Sequence, residues 1–188
     1  MHFSHPTFFR PALRSLLSTG LLLILATTPL AGAQPPGRAD CHAQEAHVIE
    51  VNDGDTVTLR MNGNIYRTRL IGIDAPEMGQ RPWGRRAREH LRGIIKEAGW
   101  MVYVETDVVK HDKYDRLLVY LRTKQDAIIN ERILLDGHAI LFTIPPNVRY
   151  VAEFTRAEES ARSEKKGIWG ANGLKEKPFI YRKKHPRQ

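Results

Sequence analysis

The stretch that decides the fold is residues 47–73, HVIEVNDGDTVTLRMNGNIYRTRLIGI. It holds three runs rich in Val, Ile, Leu and Tyr, and two short sequences of Asn, Asp and Gly separate them. The runs cover residues 47–51, 56–61 and 65–73, and the separating sequences cover residues 52–55 and 62–64. Apolar, β-branched runs bounded by turn-forming residues are typical of strands. We therefore expect three consecutive antiparallel strands.

A helix is expected after these strands, over Trp83 to Ala98. Its apolar residues recur at intervals of four, three and four, which places them on one helix face, and Gly99 suits the position just past a helix end. These apolar residues are Ala87, Leu91, Ile94 and Ala98.

The remainder of the chain is expected to contain two more strands and two more helices. The β pattern resumes over residues 100–109 and 117–122, and helices are expected over residues 127–136 and 150–166. A parallel α/β sheet would need regular alternation of strands and helices, which the order β-β-β-α-β-β-α-α lacks. We predict an α+β, mainly β fold: a five-stranded Greek-key barrel of the OB type with three helices.

The first 33 residues have the composition of an export signal. They contain two arginines and no acidic residue, an apolar run from Leu16 to Ala26, and the small residues Ala31-Gly32-Ala33. A membrane anchor is the alternative, but the uninterrupted apolar stretch Leu21 to Ala26 is far shorter than the roughly 20 residues that a spanning helix needs. We expect cleavage after Ala33 and a secreted or periplasmic protein with no stable membrane association.

Three regions are expected after the signal: a flexible leader (34–46), a folded domain (47–170) and a basic tail (171–188). The formal charge of +8 falls to +6 without the two signal arginines, and residues 175–188 alone carry +5. The high charge therefore describes the tail and says little about a nucleic-acid groove. Cys41 is the only cysteine, which excludes an intrachain disulfide.

Acidic residues and one arginine cluster where the first strands end. They lie in Asp53-Gly54-Asp55-Thr56 and in the segment from Arg69 to Glu77. By strand alternation, Arg69 shares one side of its strand with Ile71 and Ile73. A lone arginine on an apolar face needs an anionic partner, which could be a structural carboxylate or a substrate phosphate.

The end of this segment, Asp74-Ala75-Pro76-Glu77, is expected to be an extended turn, because a residue before proline avoids the helical conformation. Such a turn can aim both carboxylates and the Ala75 carbonyl in one direction. These hard oxygen ligands suit Ca²⁺, Mg²⁺ or Mn²⁺, and no His or Cys pair with zinc-ligand spacing accompanies them. Taken alone, the same four residues also fit an ordinary solvated turn.

A third polar segment, Asp112-Lys113-Tyr114-Asp115-Arg116, precedes a predicted strand. The guanidinium groups of Arg69 and Arg116, one from each of two strands, match the charge of a phosphodiester passing through a five-coordinate state. Taken singly, Arg116 fits a surface residue better.

Together these segments resemble the thermonuclease (staphylococcal nuclease-like) family, over about Val48 to Trp169. The matching motifs are Val-Asn-Asp-Gly-Asp-Thr, Arg-Leu-x-Gly-Ile-Asp-Ala-Pro-Glu, Asp-Lys-Tyr-x-Arg and Lys-Lys-Gly-Ile-Trp, in that order. The resemblance implies a nuclease that cuts DNA and RNA, prefers unpaired strands and leaves 3′-phosphate and 5′-hydroxyl ends. It also implies one Ca²⁺ ion, and we expect a monomer.

The resemblance also implies a role for each matching residue. Asp55, Asp74 and the Ala75 carbonyl would bind Ca²⁺, Asp53 would contact a metal-bound water, and Glu77 would position or deprotonate the attacking water. Arg69 and Arg116 would bind the scissile phosphate, and Lys113 and Tyr114 a further phosphate.

Two departures from the family pattern concern Ala75 and residues 140–146. Ala75 stands where some relatives have Thr, which keeps the carbonyl and removes a hydroxyl. Residues 140–146 lack the tyrosine pair that brackets the base in the best-known members, and Phe142 is the residue there with a face for stacking.

Two other functions compete with catalysis. An OB-type barrel can bind single strands without cutting them, and a calcium-dependent structural or surface-binding protein would use the acids and the tail. The complete charged set favours the nuclease, because a binding module has no need of all five charged residues and the structural alternative leaves both arginines unexplained. These residues are Asp55, Arg69, Asp74, Glu77 and Arg116.

Overall fold

The computed structural model describes residues 43–186. The predicted signal peptide, its cleavage point after Ala33, Cys41 and most of the predicted leader lie outside the described residues. Among the helices of residues 43–186, none is both long enough and apolar enough to cross a membrane.

Seven strands are present within residues 43–186. In chain order they are β1 (Gln44–Val51), β2 (Thr56–Met61), β3 (Asn64–Leu70), β4 (Gly72–Asp74), β5 (Met101–Glu105), β6 (Leu117–Arg122) and β7 (Ile140–Phe142). Four α-helices and one 3-10 turn accompany them. These are α1 (Trp83–Glu97), α2 (Ile129–Leu135), α3 (Val151–Ser163), the 3-10 turn Gly167–Trp169, and α4 (Pro178–Lys184).

Five of the strands form a closed barrel in the order β1-β2-β3-β6-β5. The first three are consecutive and antiparallel, as predicted, and β5 pairs antiparallel with both β1 and β6. Only the β3–β6 pair among these is parallel. The predicted five-stranded, mainly β barrel is confirmed, although four α-helices are found where three were predicted.

The predicted strand over residues 65–73 is divided in the structure into β3 and β4. Gly72 has a φ of +80°, and a Cβ atom there would lie 2.6 Å from a ring carbon of Phe154. This left-handed conformation favours glycine and turns the chain out of the barrel. Strand β4 then pairs with β7 in a separate two-stranded sheet.

The core lies inside the barrel and beneath the helices. Strand residues Val48, Leu59 and Leu121 have no exposed surface, and Leu91 of α1 is equally buried. Burial of each such side chain contributes about 1.5–3 kcal/mol, so the apolar face of α1 holds this helix against the barrel.

A second, smaller apolar cluster lies outside the main core. Its buried members are Trp83, Ile140 and Ile168, with Trp169, Leu174 and Phe179 packed against them. This cluster joins the start of α1, strand β7 and the C-terminal segment. It therefore fixes α4, which the sequence pattern did not predict, against the body of the protein.

Candidate active site

Strand register brings the three polar segments to one end of the barrel. Thr56, the first residue of β2, pairs with Arg69, and Arg69 pairs on its other side with Leu118. Asp55 immediately precedes β2, and Arg116 immediately precedes β6. Arg69 therefore lies between the start of β2 and the start of β6, close to the end of its own strand.

The turn between β1 and β2 positions Asp55. The backbone N–H of Asp55 donates to Asp53 Oδ1 at 3.0 Å, so Asp53 stabilises the turn. The N–H of Ala75 donates to Asp55 Oδ2 at 2.6 Å, which joins the turn to the end of β4. Asp55 and Ala75, two predicted metal ligands, are thus neighbours in the structure.

Arg69 binds carboxylates from both segments. It forms an ion pair with Asp55, and its Nη2 donates to Asp74 Oδ1 at 3.1 Å and to the Ile73 carbonyl at 3.0 Å. Its side chain is only 13% exposed. A structural carboxylate and a substrate phosphate were both considered as partners of Arg69, and the structure shows that it binds structural carboxylates.

Burial lowers the pKa of the Arg69 guanidinium, and the positive charges of Arg116 and Arg182 act in the same direction. The negative charges of Asp74 and Asp53 oppose this change. Because arginine keeps its proton in proteins, the result is a strongly cationic group enclosed by carboxylates.

Asp74 and Glu77 lie on the same side of the extended turn. The Asp74 side chain has no exposed surface, and that of Glu77 is mostly buried. Both accept a hydrogen bond from Arg182 Nη1 at 2.8 Å, and Arg182 Nη2 donates to Asp74 Oδ2 at 3.1 Å. The predicted acids therefore converge as the sequence suggested, but around an arginine.

Sequence reasoning missed Arg182, because the basic composition of residues 171–188 suggested a solvated tail. Within that region, Pro178 at the start of α4, followed by Phe179, Ile180 and Tyr181, was a signal for a short helix. No local pattern could have connected Arg182 to acids more than a hundred residues earlier.

The loop before β6 holds a second charged cluster. Arg116 donates through Nε and Nη2 to Asp112 Oδ2, at 2.7 and 2.6 Å. Lys113 Nζ lies 5.0 Å from the centre of the Tyr114 ring, and Arg116 Cζ lies 5.6 Å from it. The predicted phosphate contacts Lys113, Tyr114 and Arg116 are therefore grouped, and Tyr114 is largely exposed to solvent.

The donors at the carboxylate cluster fit a hard divalent cation. This cluster consists of Asp55, Asp74 and Glu77 and offers carboxylate oxygens, and the buried Asp74 carboxylate already contacts two guanidinium cations. Across residues 43–186, however, no group of three or more His, Cys, Asp or Glu side chains is arranged to hold a metal ion. The acids are instead joined by guanidinium groups: Arg69 bridges Asp55 and Asp74, and Arg182 bridges Asp74 and Glu77.

Phe142, considered above for base stacking, packs against α4. Its ring lies 5.9 Å from that of Phe179, with an angle of 26° between the ring planes. This contact uses one face of Phe142 to hold the C-terminal segment.

Comparison with known proteins agrees with this geometry. Residues 67–171 match the family model described as "Staphylococcal nuclease homologue". The Thermonuclease of Staphylococcus hyicus is 27% identical over 81% of this chain and 97% of its own length. The Thermonuclease of Staphylococcus intermedius is 30% identical over 69% and 79% of the two chains.

A third relative, the SPbeta prophage-derived endonuclease YokF of Bacillus subtilis, is 31% identical over 64% of this chain and 42% of its own length. The resemblance inferred from the sequence motifs is thereby confirmed. Since the family model covers more than half of the sequence, the chain belongs to the staphylococcal nuclease homologue family.

Proposed function

We propose that the chain is a calcium-dependent nuclease that hydrolyses phosphodiester bonds of DNA and RNA and leaves 3′-phosphate and 5′-hydroxyl ends. The observation that carries this proposal is the gathering of Asp55, Asp74, Glu77 and Arg69 at one barrel end, beside the strand that follows Arg116. Family membership and the names of the relatives, Thermonuclease and endonuclease, support it.

In this proposal, Asp55, Asp74 and the Ala75 carbonyl hold one Ca²⁺. When bound, the ion supplies positive charge at a phosphate oxygen and a template for water. Asp53 keeps Asp55 in place through the turn, which agrees with the hydrogen bond from the Asp55 amide to Asp53 Oδ1.

The remaining residues act on the substrate itself. Arg69 and Arg116 stabilise the charge that develops on the scissile phosphate, since preorganised guanidinium groups stabilise a transition state most where water is excluded. Glu77 accepts a hydrogen bond from the attacking water and orients it. Lys113 and Tyr114 contact a neighbouring phosphate from their exposed loop.

The same proposal includes a single-stranded substrate, a monomeric enzyme and a secreted or periplasmic location. Binding of phosphates without base-edge contacts supports tolerance of both DNA and RNA. The composition of residues 1–33 supports export.

A digestion assay tests the proposal directly. The purified chain is incubated with end-labelled single-stranded DNA in Ca²⁺, and again in excess chelator, with Asp74→Asn as the matched control. We expect cleavage in Ca²⁺ only, with product 3′ ends that a polymerase extends only after phosphatase treatment. Cleavage that continues undiminished in chelator, or no cleavage with any divalent ion, would contradict the proposal.

A further inference from the structure

Arg182 binds two of the three acids of the carboxylate cluster, Asp74 and Glu77. Its two terminal nitrogens bind both oxygens of Asp74, at 2.8 and 3.1 Å, and Nη1 also binds Glu77 Oε1 at 2.8 Å. Burial alone would lower the pKa of Arg182, but the hydrogen bonds to Asp74 and Glu77 raise it overall. One side chain therefore neutralises the two acids at the end of the extended turn.

Helix α4 is held in place by contacts that do not involve Arg182. Gln80 Nε2 donates to the Glu176 carbonyl at 2.8 Å, and Phe179 stacks on Phe142. The Tyr181 hydroxyl packs closely against Gly79, since a Cβ atom added to Gly79 would lie 2.3 Å from the hydroxyl oxygen. The C-terminal segment can consequently stay docked while the Arg182 side chain moves.

Arg69 and Arg182, the two arginines that bind Asp74, differ in how easily each side chain can be displaced from it. The Arg69 side chain is 13% exposed and is held by Asp55 and the Ile73 carbonyl as well. The Arg182 side chain is 36% exposed, and the partners named above are the carboxylates of Asp74 and Glu77 alone. Arg182 is therefore the cation that can be displaced into solvent at the lower cost.

Both oxygens of Asp74 accept hydrogen bonds from Arg182, so a metal ion and Arg182 compete for the same carboxylate. A fully buried carboxylate must be matched by positive charge, which Arg182 and Arg69 supply together at Asp74. Removal of the Arg182 guanidinium should increase the fraction of molecules whose Asp74 can bind metal. The apparent metal affinity should rise in proportion to that fraction.

We propose that Arg182 sets the metal affinity of the site: it binds Asp74, beside Arg69, and also Glu77, and Ca²⁺ binding requires Arg182 to release Asp74. This inference rests on the proposed function, because it assigns Asp74 to the metal. It makes α4 a part of the active site that controls how much Ca²⁺ the enzyme needs.

Calorimetric titration of Ca²⁺ into the metal-free chain tests the inference without measuring activity. The variant is Arg182→Met, which keeps an unbranched side chain and removes the charge. The matched control is Lys184→Met on the same helix, because Lys184 pairs with Glu176 and lies outside the carboxylate cluster. We expect Arg182→Met to bind Ca²⁺ about 10- to 100-fold more tightly than wild type, since a competent state is typically populated at about 1–10%.

Two further measurements complete the test. Arg182→Lys should bind Ca²⁺ with intermediate affinity, because one ammonium group keeps the charge but lacks the two parallel donors with which Arg182 binds the two oxygens of Asp74. In chelator, Arg182→Met should unfold at a lower temperature than Lys184→Met, and saturating Ca²⁺ should close that gap. An Arg182→Met protein that folds only in Ca²⁺ would support the inference, since its acids would then depend on the metal for charge.

Equal Ca²⁺ affinities of Arg182→Met and Lys184→Met would overturn the inference and leave the proposed function intact. Absence of Ca²⁺ binding to wild type and to every variant would overturn the calcium site itself and the inference with it. Binding to Arg182→Met alone would support competition by Arg182 at Asp74, but it would contradict the proposed use of Ca²⁺ by the wild-type enzyme.

Discussion

Arg69 has a structural role as well as its proposed role toward the phosphate. It joins Asp55, which precedes β2, to Asp74, which ends β4, and it also binds the Ile73 carbonyl. Arg116 is tied by its guanidinium to Asp112 of its own loop. The two arginines should therefore respond differently to the same substitution.

We expect Arg69→Lys and Arg116→Lys each to lower kcat by about 10²–10³-fold, because an ammonium group loses the bidentate geometry at the transition state. Arg69→Lys should also lower the free energy of unfolding by about 1–3 kcal/mol, since one nitrogen cannot satisfy Asp55, Asp74 and Ile73. Arg116→Lys should cost less than about 1 kcal/mol. Single-turnover cleavage and urea unfolding measure the two effects.

The control for these substitutions is Arg162→Lys. Arg162 lies on α3, is half-exposed and pairs with Glu158 four residues earlier. The Arg162→Lys variant should cleave DNA at the wild-type rate. A wild-type rate for Arg69→Lys or Arg116→Lys would remove that residue from the proposed active site.

At the level of secondary-structure elements, the β1–β2 turn is positioned by close packing. A Cβ atom on Gly54 would lie 2.6 Å from the Cβ of Ala75 and 2.7 Å from that of Ala87. Ala75 is a proposed metal ligand and Ala87 lies in α1, so neither neighbour can move freely. Gly54 therefore sets how closely the turn that carries Asp53 and Asp55 approaches β4 and α1.

We expect Gly54→Ala to lower the free energy of unfolding by about 1–3 kcal/mol through overpacking. It should also weaken Ca²⁺ binding, because the turn must shift away from Ala75. The control is Gly93→Ala in the middle of α1, where an added Cβ meets nothing within 4 Å; it should stabilise the protein by about 0.5–1 kcal/mol. Unchanged stability and Ca²⁺ affinity in Gly54→Ala would show that the turn has more room than its packing indicates.

The barrel was predictable because apolar runs and turn residues are local signals, and strands β2 and β6 begin and end where the pattern placed them. The division between β3 and β4 was not predictable from local sequence. It depends on the left-handed conformation of Gly72, where a Cβ atom would collide with the Phe154 ring.

The acids of the candidate site could be proposed from the sequence because they lie at the ends of predicted strands, as Asp55 does before β2. The family motifs supplied the roles proposed for them. Arg182 was missed because its connection to Asp74 depends on how α4 docks, which rests on the long-range contact between Phe142 and Phe179.

For the whole molecule, the distribution of charge matters more than its total. Of the formal +8, residues 175–188 carry +5. The structure places part of this segment at the carboxylate cluster, where Arg182 is paired with Asp74 and Glu77. Lys175, Lys177 and Lys183 are exposed. These lysines can attract a polyanion while Arg182 remains on its carboxylates.

We therefore expect the triple variant Lys175→Gln, Lys177→Gln and Lys183→Gln to bind single-stranded DNA more weakly and with a smaller dependence on salt. Each phosphate contact on a single strand contributes about 0.7 to the slope of log affinity against log salt concentration, so the slope should decrease by about 2. Fluorescence anisotropy in chelator measures binding without cleavage. An equal change of charge elsewhere, at the exposed Lys96, Lys124 and Lys165, provides the control. If both triple variants had the same slope, general electrostatic attraction would explain the binding, and the location of the three lysines in the C-terminal segment would have no special role.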